Sequence, residues 1–338
     1  MKAVHLAERM LLPRPYSARP YRGRADHAAM TTVLAGYREH KGNPEMPTVE
    51  HLDVAYANRQ DCDPDTDIAI IERAACIVGY GRAHREDLDS GVRDCIVFAP
   101  TLPDHLTQSL FAAVVAAQQA HMLPWIESVD DARFRAYAPH PGPGKRPTGE
   151  AAWLEALGYE ATEWGASLVR SHLDDIPDRP LPDGVDVRPV TEEQIRPILE
   201  ANWEDFRGEW DFREPTEADF VEMIEHPDRD ETLWKIAWAG DTVVGQVKSY
   251  INERENADRG YRRGYTEYIS THRSWRNRGI AGALLAMSLQ ELRNRGMTEA
   301  ALGVDTNNPG GAFQLYTGLG FELRTYEAVY TNAIRRDR

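Results

Sequence analysis

The stretch Arg276-Asn277-Arg278-Gly279-Ile280-Ala281-Gly282 sets two guanidiniums and two glycines directly before an apolar run with helical spacing, Leu284, Leu285, Leu289 and Leu292. A helix starting there exposes unpaired backbone N–H groups and the positive end of its dipole. Such an end holds an anion, and Gly279, Ala281 and Gly282 leave its amides open to a phosphate group. Arg276 and Arg278 would add charge-assisted hydrogen bonds. His272, Arg273, Arg276 and Arg278 make this turn locally basic in a chain of net charge −15. Taken alone, the seven residues read equally well as a glycine-rich turn with solvated arginines.

A second cluster follows: Val304-Asp305-Thr306-Asn307-Asn308, a short helix-like stretch from Gly311, and Leu315-Tyr316-Thr317-Gly318-Leu319-Gly320-Phe321. One helix and one strand fit between Gly279 and this cluster. Arg-x-x-Gly-x-Ala at a strand-to-helix turn resembles the pyrophosphate-binding motif of the GNAT acetyltransferase superfamily. The downstream stretch resembles that family's second motif, a strand, an Asn, a short helix and then Leu-Tyr-x-x-x-Gly-Phe. The resemblance covers the C-terminal half in both motifs and their order.

What the resemblance implies is an acyl-CoA, most simply acetyl-CoA, lying between the strands Tyr265–Thr271 and Thr298–Val304. Its pyrophosphate would rest on Arg276, Asn277, Arg278, Gly279, Ile280, Ala281 and Gly282, and its pantetheine on main chain near Ile269, Ser270 and Thr271. Asn308 would help anchor it, although Asn308 stands one residue further from Ala312 than the family's commonest spacing. An amine then attacks the thioester directly. Because an amine of pKa near 10 is mostly protonated at neutral pH, a base must take its proton. Glu267 is the candidate base, with a water relay as the alternative. Tyr316 occupies the position of the family's general acid, whose hydroxyl reaches the sulfur; its other reading is a ring packed in the core. Trp203, Asp205 and Trp210 fall where the family lines its acceptor pocket, and aromatic walls with carboxylates suit a cationic amine. The same aromatics also read as core. A non-catalytic acyl-CoA-binding module is the competing function, and it would have no need of Tyr316. No metal is implied.

The elements that must hold these residues are legible in the same half. Glu192–Glu204 carries Ile195, Ile198, Leu199 and Trp203 at helical spacing. Thr216 and Asp219 form a helix-start signature. Leu233–Ala239 and Thr242–Ile251 read as a hairpin around Gly240-Asp241. Arg254 to Gly264 reads as a polar, Arg-rich loop, and strands close the chain from Phe321.

The first half repeats the layout. Tyr16-Ser17-Ala18-Arg19-Pro20 parallels Val185-Asp186-Val187-Arg188-Pro189, and Leu157-Gly158-Tyr159-Glu160 parallels Leu319-Gly320-Phe321-Glu322. The expected fold is α/β (α+β), two tandem GNAT-like domains, each a mixed, mostly antiparallel twisted sheet flanked by helices. The expected divisions are an extension at 1–15, a degenerate domain at 16–175, a proline-rich linker at 176–184 and a catalytic domain at 185–338. Degeneracy follows from two positions. Leu154 stands where Tyr316 does, and Pro103-Asp104 occupies the phosphate turn, removing an N–H and adding a repulsive charge.

Composition narrows the partners. With 42% hydrophobic and 28% charged residues, the chain has the balance of a globular protein. The acidic excess repels nucleic acid. No apolar run approaches a membrane span, and Glu8 and Arg9 interrupt the only apolar stretch near the start, so a cytoplasmic protein is expected; that it is an enzyme acting on a small-molecule amine is what the resemblance implies. Cys62, Cys76 and Cys95 show neither metal-ligand nor redox spacing.

Overall fold

The computed structural model describes residues 4–43, 46–306 and 311–333. Its strands are β1 (Tyr16–Pro20), β2 (Ile68–Arg73), β3 (Cys76–Asp87), β4 (Arg93–Phe98), β5 (Ala132–His140), β6 (Glu160–Arg170), β7 (Asp186–Val187), β8 (Lys235–Ala239), β9 (Thr242–Tyr250), β10 (Arg263–Thr271), β11 (Glu299–Asp305) and β12 (Glu322–Ala333). They belong to two compact units, Met1–Trp164 with Thr325–Arg338, and Gly165–Arg324.

In the first unit the strands run β1-β2-β3-β4-β5-β12. All neighbours are antiparallel except the parallel pair β4 and β5. Helix Gln108–Glu127 buries Leu110, Val114, Val115 and Met122 in the core on this sheet. Its N-terminus is closed by the Thr107 hydroxyl, which accepts from Leu110 N at 3.3 Å. A single 3-10 turn, Pro103–His105, precedes it.

In the second unit the order is β6-β11-β10-β9-β8-β7, again with one parallel pair, β10 and β11. The two units therefore share a topology. Each takes its last strand from the other half of the sequence, β12 pairing with β5 and β6 pairing with β11. Residues 165–175 thus group with the second unit and the strand after Arg324 with the first. A sequence reading that closes each domain with its own C-terminal strand differs from this, because pairing partners are chosen between distant edges that no local pattern encodes.

Local signals decide most of the second unit. Helix Glu192–Phe206 starts on a capping box between Thr191 and Gln194, and helix Glu217–Ile224 on one between Thr216 and Asp219. The hairpin of β8 and β9 forms as expected. The Arg-rich segment does not remain a loop. Asn252 caps a helix at Glu253–Arg259, its Oδ1 accepting from Glu255 N at 2.9 Å. Glu255 is fully buried and accepts from the Tyr265 hydroxyl at 2.6 Å. That inward carboxylate anchors a segment whose composition alone looked solvated.

Helix Ile280–Asn294 buries Ile280, Ala283, Leu284, Leu285, Leu289 and Leu292. It ends in a Schellman turn, Gly296 N donating to Arg293 O and Met297 N to Leu292 O. The same motif ends helix Ala312–Thr317, with Gly320 N donating to Thr317 O and Phe321 N to Tyr316 O. In the first unit it ends helix Glu150–Ala156, with Gly158 N donating to Glu155 O and Tyr159 N to Leu154 O. The repeated Leu-Gly-aromatic signature is thus one helix stop used twice. Leu154, fully buried, stands where Tyr316 stands in the second unit.

Among the described residues no helix is long and apolar enough to cross a membrane, and the three cysteines are unpaired.

Candidate active site

β10 and β11 pair only at Arg263 with Glu299, Gly264 with Ala300 and Tyr265 with Ala301, yet both strands run on, to Thr271 and Asp305. β11 stays straight because its other edge is paired with β6 as far as Asp305. β10 follows β9 instead, and its register shifts between Glu267 and Ser270. The shift is a bulge at Tyr268, whose φ of 51° lies in the left-handed region. An extra residue on one strand bends it and ends its pairing. The two strands therefore open like a wedge, and beyond Tyr265 the β11-facing edge of β10 lacks a ladder partner among the described residues.

Two side chains bridge the opening. Thr266 Oγ1 donates to Ala301 O at 3.4 Å, and a Glu267 oxygen accepts from Gly303 N at 3.2 Å. Tyr316 is 5% exposed, with its ring 6.3 Å from that of Phe321. Burial and the nearby Glu267 charge together hold the phenol pKa well above its ordinary value. It therefore stays protonated at neutral pH and can donate a hydrogen bond.

Glu267 and Tyr316 line one pocket of about 730 Å³. Its other walls include Trp203, Phe206, Trp210 and Phe212 from the helix Glu192–Phe206 and the segment after it, and Ile269 from β10. Trp210 Nε1 donates to Asp305 Oδ2 at 2.9 Å, fixing the indole at the pocket wall. Glu209 and Asp211 also face this space. The Glu209 carboxyl is pushed up by burial and then by the Asp305 charge, so the wall is acidic and crowded.

Asp205 is placed differently from Trp203 and Trp210. It is buried, it does not line the pocket, and it accepts from the Ser270 hydroxyl at 2.7 Å. On a helix, the position two residues after Trp203 faces a different side, so Asp205 points under β10. Burial raises its carboxyl.

The turn at 276–282 stands at the open end of the wedge, directly after β10. Gly279 caps the helix with φ 83°, and an added Cβ would meet nothing within 4 Å. Asn277 also has positive φ, 61°. Asn277, Arg278 and Gly279 are exposed, whereas Ile280 is buried as the first core residue of the helix. The arginines are tied back to main chain. Arg276 donates to Thr271 O at 3.2 Å and Asp205 O at 3.3 Å, and Arg278 donates to Ser274 O at 3.3 Å and lies over the Trp275 ring. They brace the turn and keep its potential positive. A feature outside both motifs is Arg179, whose Nη1 lies 3.0 Å from where a Cβ on Gly282 would be. Ala281 is half-buried in the first turn of the helix. Asn308 lies outside the described residues.

A wedge between two parallel strands, closed at one end by a glycine-opened helix N-terminus and flanked by a buried tyrosine, is the arrangement to set against known proteins. Residues 195–321 match the model of the acetyltransferase (GNAT) family. In those residues, which lie within the second unit, the chain resembles a GNAT acetyltransferase domain. Among curated proteins no sequence matches the chain. Solved structures match over almost the whole length. A GCN5-related N-acetyltransferase from Sphaerobacter thermophilus is 20% identical, with TM-score 0.69 over 96% of this chain and 98% of that one. A tandem GNAT protein from the clavulanic acid biosynthesis pathway is 15% identical, with TM-score 0.64 over 96% of this chain and all of that one. An N-myristoyltransferase from Saccharomyces cerevisiae, solved with bound myristoyl-CoA, is 11% identical, with TM-score 0.61 over 95% and 78%. At these identities the likeness is one of fold, and it extends through both units.

Proposed function

We propose that the GNAT domain transfers an acetyl group from acetyl-CoA to a primary amine of a small molecule by direct attack on the thioester. The observation that carries the reading is the wedge between β10 and β11, with Glu267 and Tyr316 facing one pocket. The pyrophosphate would take the amides of Gly279 to Gly282, and the pantetheine would take the edge of β10 at Ile269 to Thr271 that has no ladder partner, substituting for the missing strand. The carbonyl carbon then lies near both Glu267 and Tyr316. The amine forms the C–N bond as the C–S bond breaks. Its proton passes to Glu267, and the departing thiolate is stabilised by the Tyr316 hydroxyl. The aromatic and acidic walls around Trp203, Trp210 and Glu209 favour a cationic acceptor.

The first unit lacks these parts. Thr107 already caps the corresponding helix, Pro103 and Asp104 fill the turn, and Leu154 replaces the phenol. Calorimetric titration with acetyl-CoA is therefore expected to give one site per chain, and two sites would restore the first unit as a binder.

Thiol release from acetyl-CoA, followed against a panel of amines, tests the reaction itself. In that assay Glu267→Gln separates basicity from structure, because a Gln oxygen still accepts from Gly303 N. We expect turnover to fall roughly tenfold, less than for an irreplaceable base since water can take part of the proton, with the acid limb of the pH–rate profile flattened. An unchanged profile would assign the proton to water alone.

A further inference from the structure

Beneath the bulge of β10 lies a buried lysine that the reaction above does not use. Lys248, on β9, is 3% exposed. No carboxylate of the described residues lies within ion-pair distance of it. Its Nζ donates to Asn202 Oδ1 at 3.2 Å and to Gln246 Oε1 at 3.1 Å, and it lies 5.1 Å from the Tyr268 ring centre. Gln246 is held in turn, donating to Ile198 O at 3.2 Å.

Asn202 passes the constraint to the bulge. Its Nδ2 donates to Tyr268 O at 3.3 Å and to Ser270 Oγ at 3.1 Å, and Ser270 Oγ donates to Asp205 Oδ2. Every bond in this chain points the same way, from Lys248 to Asn202 to Ser270 to Asp205. A carboxamide can turn over, exchanging its oxygen and nitrogen at little steric cost. A lysine that donates at one end works against that turn, because its N–H groups already face Asn202 Oδ1 and Gln246 Oε1 and, as an ammonium, it has no lone pair to receive Nδ2. Nδ2 must then face the strand, where Tyr268 O and Ser270 Oγ need a donor. With the lysine gone, a turned amide would set oxygen against the Tyr268 carbonyl.

We propose that Lys248 is a positioning residue for the acyl donor, locking the Asn202 amide so that residues 268–270 of β10 keep the bent shape that receives the pantetheine arm. The inference rests on the placement of acetyl-CoA between β10 and β11 given above. It also gives a role to a lysine buried in a strand of apolar pattern, Val243, Val244 and Val247. Any polar core can be retained for fold specificity alone, and that simpler role makes a different prediction.

The test compares two ligands by calorimetry, acetyl-CoA and adenosine 3′,5′-bisphosphate, which lacks the pantetheine arm. For Lys248→Met we expect acetyl-CoA affinity to fall about tenfold, with affinity for the nucleotide unchanged. Lys248→Gln, which keeps an N–H for Asn202 Oδ1, should stay within about twofold of the parent on both ligands. A Met variant that binds acetyl-CoA like the parent, a parallel loss of both ligands, or equal losses for Met and Gln would each overturn the proposal. Should Lys248→Met fail to fold, Asn202→Asp decides, since it keeps an acceptor for the lysine and removes the donor to the strand. The same selective tenfold loss is expected there, and parental affinity would overturn the proposal. If the parent protein binds the nucleotide but gains nothing from the acylated arm, the placement of acetyl-CoA itself falls, a result distinct from all of these.

Discussion

Gly279→Glu is expected to weaken acetyl-CoA binding by more than about a hundredfold while leaving the protein folded. The position is open on its outer side, with nothing within 4 Å of an added Cβ, so no core contact is lost. Two effects act together. A carboxylate would stand at the amides to which the proposed function assigns the diphosphate, and like charges at contact distance in a partly desolvated turn repel strongly. The residue must also hold φ near 83°, which costs a non-glycine residue about 1 kcal/mol or more. Gly279→Ala separates the two, because it carries the strain without the charge, and it should lose only a small part of the affinity. Calorimetric titration reads both variants, and circular dichroism confirms that the helix from Ile280 persists. Parental affinity in Gly279→Glu would place the diphosphate elsewhere.

Tyr316→Phe is expected to lower turnover about a hundredfold at saturating acetyl-CoA while acetyl-CoA affinity stays near the parental value. Phenylalanine keeps the ring against Phe321 and the Schellman turn that closes the helix, so packing is preserved. What is lost is one O–H, held protonated by burial and by the Glu267 charge. In the proposed reaction its contribution is confined to the moment when the C–S bond breaks and sulfur gains charge. An interaction made only then lowers turnover without changing ground-state binding. The effect should shrink with acyl donors whose leaving thiol is more acidic, since these need less stabilisation. Steady-state kinetics with acetyl-CoA and any accepted amine measure it, and equal turnover in parent and variant would remove Tyr316 from the reaction.

These two positions share a reason for being readable in the chain. The turn at 276–282 is a local device, in which a strand ends, glycines admit positive φ and a helix begins within seven residues. The tyrosine is fixed by a helix stop that spans only Tyr316 to Phe321. Both depend on hydrogen bonds between near neighbours, so residue types at short spacing specify them. The capping boxes at Thr191 and Thr216, the hairpin around Gly240 and the helix end at Gly296 belong to the same class.

Asp205 shows where that legibility stops. Its type and region point to the acceptor pocket, yet its carboxylate turns under β10 to Ser270, while Glu209 and Asp305 face the pocket instead. The segment at Glu253–Arg259 reads as solvated, and becomes a helix because Glu255 finds two tyrosine hydroxyls inside. Arg276 has the charge expected of a phosphate ligand, and the structure adds what its sequence position does not show, that two of its five N–H groups donate to the carbonyls of Thr271 and Asp205.

By itself, then, the order of residues determined the glycine-opened turn and the phenol at the end of a short helix, since each follows from contacts within a few residues, and its repeated signatures pointed to two units. Only the tertiary structure decided which strand completes each sheet, how far β10 and β11 stay together, and what lies beneath the bulge. Those outcomes depend on β6 holding β11 straight and on Lys248 and Asn202 meeting across two elements. Partners that far apart in the chain are selected by the free energy of the whole fold, and no short pattern carries them.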